Sequence, residues 1–315
     1  MKHRLEYWLI AAVTHAVRLL PWSLVRAGGV FMGLAVYFLD PPHRRITLAN
    51  LEAAFPVRSA ADRRRTARGV FAHFGRVLLE LLKFSTLTPE QMLERVEFEG
   101  DERARQAYAL GRGVLFFTGH FGYWELCGIV HALKIGPIGV LARALDNPHL
   151  NRLLEQARQS TGNTVIYRRG ALRRVMRALE ANQGVAMLID QHTFGPDAVY
   201  VDFFNRPAAT TSSLAALAIR TGAPAIPVFA IPLPDCRYRM IYEHPVVPPA
   251  PGSPDAIREF TQRCTDVLEM YVRRYPDLWL WMHRRWRDGE PVEQAGDMFS
   301  ASDGDAGTDP VGIDD

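Results

Sequence analysis

Lysine is nearly absent from this 315-residue chain: Lys2, Lys83 and Lys134 stand alone, and 34 of the 37 basic residues are arginine. Cysteine is scarce as well. Cys127, Cys236 and Cys264 are odd in number and lack metal or redox spacing, which argues against structural disulfides and fits a reducing compartment. No stretch approaches about 18 uncharged apolar residues, so a polytopic membrane protein is excluded. Apolar content is not low, however, and 48% hydrophobic residues exclude a disordered or collagen-like chain. There are no internal repeats.

Basic residues are missing from one end. Between Asp288 and Asp315 lie nine acids and no Lys or Arg, leaving residues 1–287 with 37 cations, 25 acids and a net +12. A basic body suits an anionic partner: lipid headgroups, phosphorylated substrates or nucleic acid. Residues 288–315 read as an acidic, disordered tail, rich in Gly, Ser and Asp from Ala295 onward.

Residues 1–40 are the most apolar region. Arg18, Arg26 and Asp40 interrupt them, and no small-residue cleavage site follows one clean apolar block, so the segment is expected to be retained. Trp8, Trp22 and Tyr37 suit a membrane interface. Arg18 and Arg26, eight apart, fall about 80° from each other around a helix. Most of the circumference then stays apolar while two guanidiniums reach headgroups, and Pro21 should split the helix. This is expected to be a membrane-associating segment, lying flat or as a single span. A hydrophobic helical pair packed on the body is the alternative.

Residues 41–287 read as one catalytic domain. Ser59–Phe84 has a capping serine and apolar residues at helical spacing. Strands are expected at Gly113–Thr118, Ile138–Ala142, Val185–Asp190, Val199–Phe204, Ala225–Ile231 and Tyr238–Tyr242. Helices are expected at Asn147–Gly162, Ala171–Asn182, Leu214–Thr221 and Asp255–Tyr275. The alternation predicts an α/β fold with a mixed, largely parallel central sheet covered by helices.

The segment Gly119-His120-Phe121-Gly122-Tyr123-Trp124-Glu125 comes directly after the Gly113–Thr118 strand. A histidine there stands where ligands gather in α/β sheets. Glu125, five residues on, is close enough in a turn-then-helix geometry to reach the imidazole, fixing one tautomer and raising the basicity of the other nitrogen. A capping or core histidine would explain His120 equally simply. One His/Glu pair lacks the three ligands of a catalytic zinc, so no metal is expected. Cys127 has no activating partner in the sequence, which leaves it a poor nucleophile. Asp190 and Gln191 end a buried strand and are candidate ligand contacts, with structural hydrogen bonding as the alternative. Arg168, Arg169, Arg173, Arg174 and Arg177 form a cluster for a phosphorylated sugar, a carrier protein or the bilayer, or a solvated helix face. Trp279–Arg287 mixes Trp with Arg as an interfacial segment would.

Several ordered blocks carry a resemblance: RRITLANLEAAFP at Arg44–Pro56, GHFGYWEL at Gly119–Leu126, RALDNP at Arg143–Pro148 and the Arg158-x3-Gly162 segment. RRGALRRVMRAL at Arg168–Leu179, VAMLIDQ at Val185–Gln191, VDFFNRPAATT at Val201–Thr211 and WMHRRWR at Trp281–Arg287 complete the set. Over residues 10–287 the chain resembles the late acyltransferases of lipid A biosynthesis, within the wider lysophospholipid acyltransferase-like group. It departs at Asn205-Arg206, where the family more often has a Gly.

The resemblance implies acyl transfer from a thioester, on acyl carrier protein or acyl-CoA, to a hydroxyl of a membrane glycolipid at the cytoplasmic side of the bacterial inner membrane. It implies no cofactor and no nucleic acid. The family's His-x4-acid motif falls on His120 and Glu125, as catalytic base and its orienting acid. Its active-site arginine falls on Arg158, with Arg143, Arg168, Arg169, Asp190 and Gln191 as further candidate substrate contacts.

Overall fold

The computed structural model describes residues 2–167, 170–250 and 252–287. The acidic tail and the Arg168–Arg169 pair therefore lie outside the described residues. The helical N-terminal part comprises α1 (Lys2–Leu19), α2 (Trp22–Leu39), α3 (Pro41–Ala54) and α4 (Ala60–Phe84). Next come α5 (Pro89–Glu94), β1 (Val96–Glu99), α6 (Asp101–Tyr108), β2 (Val114–Thr118), α7 (Trp124–Lys134) and β3 (Ile138–Ala142). The chain continues through α8 (Pro148–Gln159), β4 (Thr164–Tyr167), α9 (Ala171–Glu180), β5 (Gly184–Leu188), β6 (Ala198–Asp202) and β7 (Pro207–Thr211). It ends with α10 (Ser213–Thr221), β8 (Ala225–Pro232), β9 (Tyr238–Tyr242) and α11 (Ala256–Arg274).

Local chemistry sets these boundaries. Pro21 separates α1 from α2, since its ring cannot sit inside a helix. Ser59 caps α4 by accepting from the Asp62 amide at 3.1 Å. Asp40 caps α3 by accepting from the His43 amide, with Pro41 at the first helical position. Arg44 donates back to the Tyr37 and Phe38 carbonyls, which satisfies the C-terminal end of α2.

Seven strands form one sheet in the order β1-β9-β8-β2-β5-β3-β4, parallel throughout except for β8 against β9. β6 and β7 make a separate antiparallel hairpin. Because helices cover both faces, β2 is apolar at successive positions: Leu115 and Phe117 feed one core, Val114 and Phe116 the other. β1, β4 and β7 are additions to the six expected strands, which otherwise agree to within a residue or two.

The N-terminal helices are docked on the body. Val25, Gly29, Gly33 and Tyr37 line the buried face of α2, four residues apart. A Cβ on Gly33 would meet the Phe71 carbonyl oxygen at 2.0 Å, and one on Gly75 the Gly29 oxygen at 2.1 Å. Two bare backbones thus touch where α2 meets α4. The other face of α2 carries Leu24, Phe31 and Phe38, seven apart and all exposed. α2 is long and apolar enough to cross a membrane by length and composition.

Candidate active site

β2 and β5 lie side by side and in parallel, with Thr118 opposite Leu188. That register carries both chains off the sheet at the same point of its C-terminal edge, where α/β folds bind ligands. His120 lies two residues past the end of β2, and Asp190 two residues past the end of β5. His120 Nδ1 lies 2.9 Å from Asp190 Oδ1, and the His120 amide donates to Oδ2 at 2.7 Å. Trp279 Nε1 donates to the same Oδ2 at 2.8 Å. A carboxylate only accepts, so the imidazole proton resides on Nδ1 and Nε2 presents a lone pair.

Burial acts against charge on both partners. It pulls the His120 imidazole down, but the Asp190 charge and hydrogen bond outweigh it and raise the pKa, with a smaller push from Glu125 and an opposing one from Arg158. Burial pushes the Asp190 carboxyl up, and the nearby imidazole with its hydrogen bonds holds it well below the usual carboxylate range instead. The Asp190 side chain is fully enclosed while the His120 side chain is 20% exposed, so only the imidazole faces outward.

The expectation that Glu125 orients His120 is corrected here. Glu125 opens α7 and is bound by Arg158 of α8, which donates from Nε to Oε2 at 2.8 Å and from Nη2 to Oε1 at 2.5 Å. This two-pronged pair fits the planar guanidinium, and both side chains are largely enclosed. The His-x4-Glu spacing does place Glu125 beside His120. The hydrogen bond that fixes the imidazole comes from Asp190, 70 residues away.

The loop between β2 and α7 is gripped from three sides. Gly122 adopts φ +55°, and a Cβ there would meet the Ala230 oxygen at 2.0 Å, so no other residue fits. His73 Nε2 of α4 donates to the Gly122 carbonyl at 3.2 Å; burial pushes that imidazole down to about 3, which keeps it neutral. Tyr123 and Tyr238 hydroxyls both donate to the buried Glu80 Oε2 of α4, at 2.6 and 2.7 Å. From the C-terminal side, Phe121 bridges Trp279, and Leu280 donates to the His120 carbonyl at 3.0 Å.

That last strap overturns another expectation. Trp279, Trp281 and Arg285 are core residues, 0%, 0% and 1% exposed, and not an interfacial segment. Arg285 donates to the Ala209 carbonyl at 2.6 Å and to Thr210, while Asn50 of α3 donates to the Trp281 and His283 carbonyls. His283 is half-buried near Asp190, with its Nδ1 donating to the Leu280 carbonyl.

Close to the His120 loop a narrow, largely apolar cavity of about 70 Å³ runs between α7 and the sheet. Thr118, Trp124, Glu125 and Arg158 line one end; Phe116, Ile138, Met187, Val228 and Met240 are among the apolar walls. Cys127 also lines it, but burial pushes the thiol up to about 12, which leaves no thiolate to act as a nucleophile.

The remaining candidates stand apart from this centre. Arg143 lies just past β3 at the same edge, is mostly exposed and pairs with Asp146 at 3.4 Å. Gln191 is exposed one residue beyond Asp190. Arg173, Arg174 and Arg177 sit on the exposed side of α9.

Residues 1–288 match the family profile of the bacterial lipid A biosynthesis acyltransferases. The chain belongs to that family. It is 29% identical to the lipid A biosynthesis lauroyltransferase of Escherichia coli, over 89% of this chain and 90% of that protein. Similarity to the palmitoleoyltransferase of the same organism is 27%, over 82% and 84%. A phosphatidylinositol mannoside acyltransferase of Mycolicibacterium smegmatis is 25% identical, over 84% and 88%. A crystal structure of the 1-acyl-sn-glycerophosphate acyltransferase of Thermotoga maritima covers 80% of this chain and 96% of that one, at 16% identity and a TM-score of only 0.35. The protein is an acyltransferase, and membership of this family implies an acyl donor and a lipid acceptor.

Proposed function

We propose that this acyltransferase moves a fatty acyl chain from an acyl carrier protein thioester to a hydroxyl of a lipid A precursor or similar glycolipid, with His120 as general base. The observation that carries this reading is the fixed tautomer of His120, whose Nδ1–H is held by a buried, ionised Asp190. The acceptor hydroxyl gives its proton to Nε2 as its oxygen attacks the thioester carbonyl. The carbon–sulfur bond then breaks, and the imidazolium returns that proton to the departing thiolate. Asp190 stabilises the cation that exists between those steps. No protein nucleophile takes part, in keeping with the neutral Cys127.

The apolar cavity suits the acyl chain, with the Glu125–Arg158 pair at the end nearer His120. Arg158 is the candidate to steady the oxyanion or an acceptor phosphate. The exposed stripe of Leu24, Phe31 and Phe38 supports attachment to the cytoplasmic face of the inner membrane, which would deliver the lipid acceptor to the site. Residues 1–40 then serve as the membrane-associating segment and 41–287 as the catalytic domain, and Arg143, Arg168, Arg169 and Gln191 remain candidate substrate contacts.

Purified protein in lipid discs tests this reading. Acyl carrier protein and coenzyme A thioesters are offered in turn to a lipid A precursor, a phosphatidylinositol mannoside and a lysophospholipid. Transfer from the carrier protein to the lipid A precursor is expected, and His120→Ala should lower it by about 10²–10⁴-fold with circular dichroism unchanged. Undiminished transfer by His120→Ala would end the mechanism. Faster transfer to a different acceptor would replace the substrate.

A further inference from the structure

One polar pair does not belong to an ordinary hydrocarbon cavity. His131 lies on α7, six residues beyond Glu125 and so about 9 Å farther along the helix axis. It lines the cavity, and its side chain is enclosed, the residue being 2% exposed. Its ring packs edge-on against Phe116 at 4.5 Å, and its Nδ1 lies 2.9 Å from the Tyr242 hydroxyl. Its Nε2 is buried with no partner among the described residues.

The proton count fixes what Nε2 offers. Tyr242 is fully buried, and its hydroxyl has His131 Nδ1 as its hydrogen-bonding partner. If the hydroxyl donates, Nδ1 is the acceptor, the single ring proton sits on Nε2, and one donor is left over. If Nδ1–H donates instead, both the hydroxyl proton and the Nε2 lone pair are stranded. The first arrangement strands fewer groups. Burial pushes the imidazole down to about 3, so the ring stays neutral and carries only that one proton. Of the other polar side chains around the cavity, the Thr118 hydroxyl, at the Glu125 end, is also buried without a partner among the described residues. Asn163 bridges the Ile138 amide and the Gly128 carbonyl, and Glu125 holds Arg158. A leucine at 131 would suit a plain alkyl chain without this cost.

We propose that the cavity accepts an acyl chain carrying an oxygen part-way along, a hydroxyl or oxo group, whose lone pair is bound by His131 Nε2–H. The inference rests on the cavity being the acyl-chain site. Oxygen placed about one and a half helical turns beyond Glu125 meets the donor. Oxygen next to the thioester, or at the far terminus, does not. His131 is thereby a specificity-determining residue, and Tyr242 positions it by taking up Nδ1.

A one-pot competition reads this directly. Equal amounts of a plain acyl thioester and the same chain with a mid-chain hydroxyl or oxo group compete for one acceptor, and mass spectrometry of the products gives the ratio of kcat/KM. His131→Phe, which keeps the ring packing but removes the donor, should lower the share of the oxygenated chain by about 5- to 150-fold, the effect of an unpaired buried oxygen. His131→Gln, which retains an N–H, should restore much of it. A chain bearing its hydroxyl beside the thioester should show no such change. An unchanged ratio in His131→Phe overturns the proposal. Thermal midpoints with the free fatty acids supply a readout independent of transfer. The mid-chain oxygenated acid should protect wild type more than His131→Phe, and equal protection would overturn the proposal even if no thioester were a substrate. Failure of wild type to transfer any acyl chain, with that differential protection intact, would instead count against the acyl-transfer mechanism.

Discussion

Two carboxylates flank the imidazole of His120, and they are held in opposite ways. Asp190 is sealed in the core and surrounded by neutral N–H donors plus the imidazole itself: the His120 amide and Nδ1, and the Trp279 indole. Glu125 sits nearer the edge and is bound by a full cation, Arg158. Neutral donors leave the Asp190 charge available to the imidazole. The guanidinium spends most of the Glu125 charge locally, so its influence on His120 is small and opposed by that of Arg158. Proximity in sequence thus marks the neighbour, and sheet register supplies the partner.

Exchanging charge for amide at each position is the way to break that contrast. Asp190→Asn should have the largest effect, lowering turnover by about 10²–10⁴-fold, because the amide no longer holds the Nδ1–H tautomer. Glu125→Gln should cost far less in turnover. Equal losses, measured as kcat under saturating donor, would mean that Glu125 shares the orienting task.

The pH profile sharpens the comparison by sign. Turnover should rise with pH as His120 loses its proton, and the midpoint of that limb should lie above the ordinary histidine value because Asp190 raises it. Any turnover left in Asp190→Asn should therefore show the limb displaced to lower pH. Glu125→Gln should displace it the same way but less. Arg158→Ala removes a cation that lowers the His120 pKa, so its limb should move upward. A downward shift in Arg158→Ala would show that Glu125 and Arg158 do not act on His120 as separate charges.

Arg158→Lys should fall between wild type and Arg158→Ala in thermal stability, since an ammonium keeps the charge on Glu125 without the two-pronged contact. Removing the cation altogether should cost about 1–3 kcal/mol, the usual consequence of leaving a buried hydrogen-bonded group unmatched. The smallest effect is expected at Cys127. Its thiol is un-ionised, so Cys127→Ser should retain turnover, and a large loss would reopen covalent catalysis.

Much of the fold is legible in the chain itself. A serine cap and helical spacing are enough for α4, and short continuous apolar runs are enough for β2, β3 and β5. The GHFG segment can be placed at a strand end for the same reason. β1, β4 and β7 escape because VEFE, TVIY and PAATT are short and, for β7, small-sided, so their burial is decided by neighbours in space. Asp190 can be nominated from sequence but not paired, since its contact with His120 exists only through the β2–β5 register. Trp279 and Trp281 mislead for a related reason: composition alone cannot separate an aromatic belt from an aromatic core, and the decision comes from the backbone bonds that tie Leu278 and Leu280 to Gly122 and His120 and from the Asn50 side chain on the Trp281 carbonyl.

The backbone contact between α2 and α4 bears on how this protein could be handled at the bench. Cutting at Pro41 removes a surface that α4 was shaped to meet, baring Gly75 and the backbone around Phe71, while α4 is also the helix whose His73 and Glu80 grip the loop of the imidazole. A trimmed protein would keep every residue of the reacting centre and lose the wall behind it. Recolouring is the sounder route: Leu24, Phe31 and Phe38 point away from α4, and polar side chains at those three positions leave the interlocked glycines untouched.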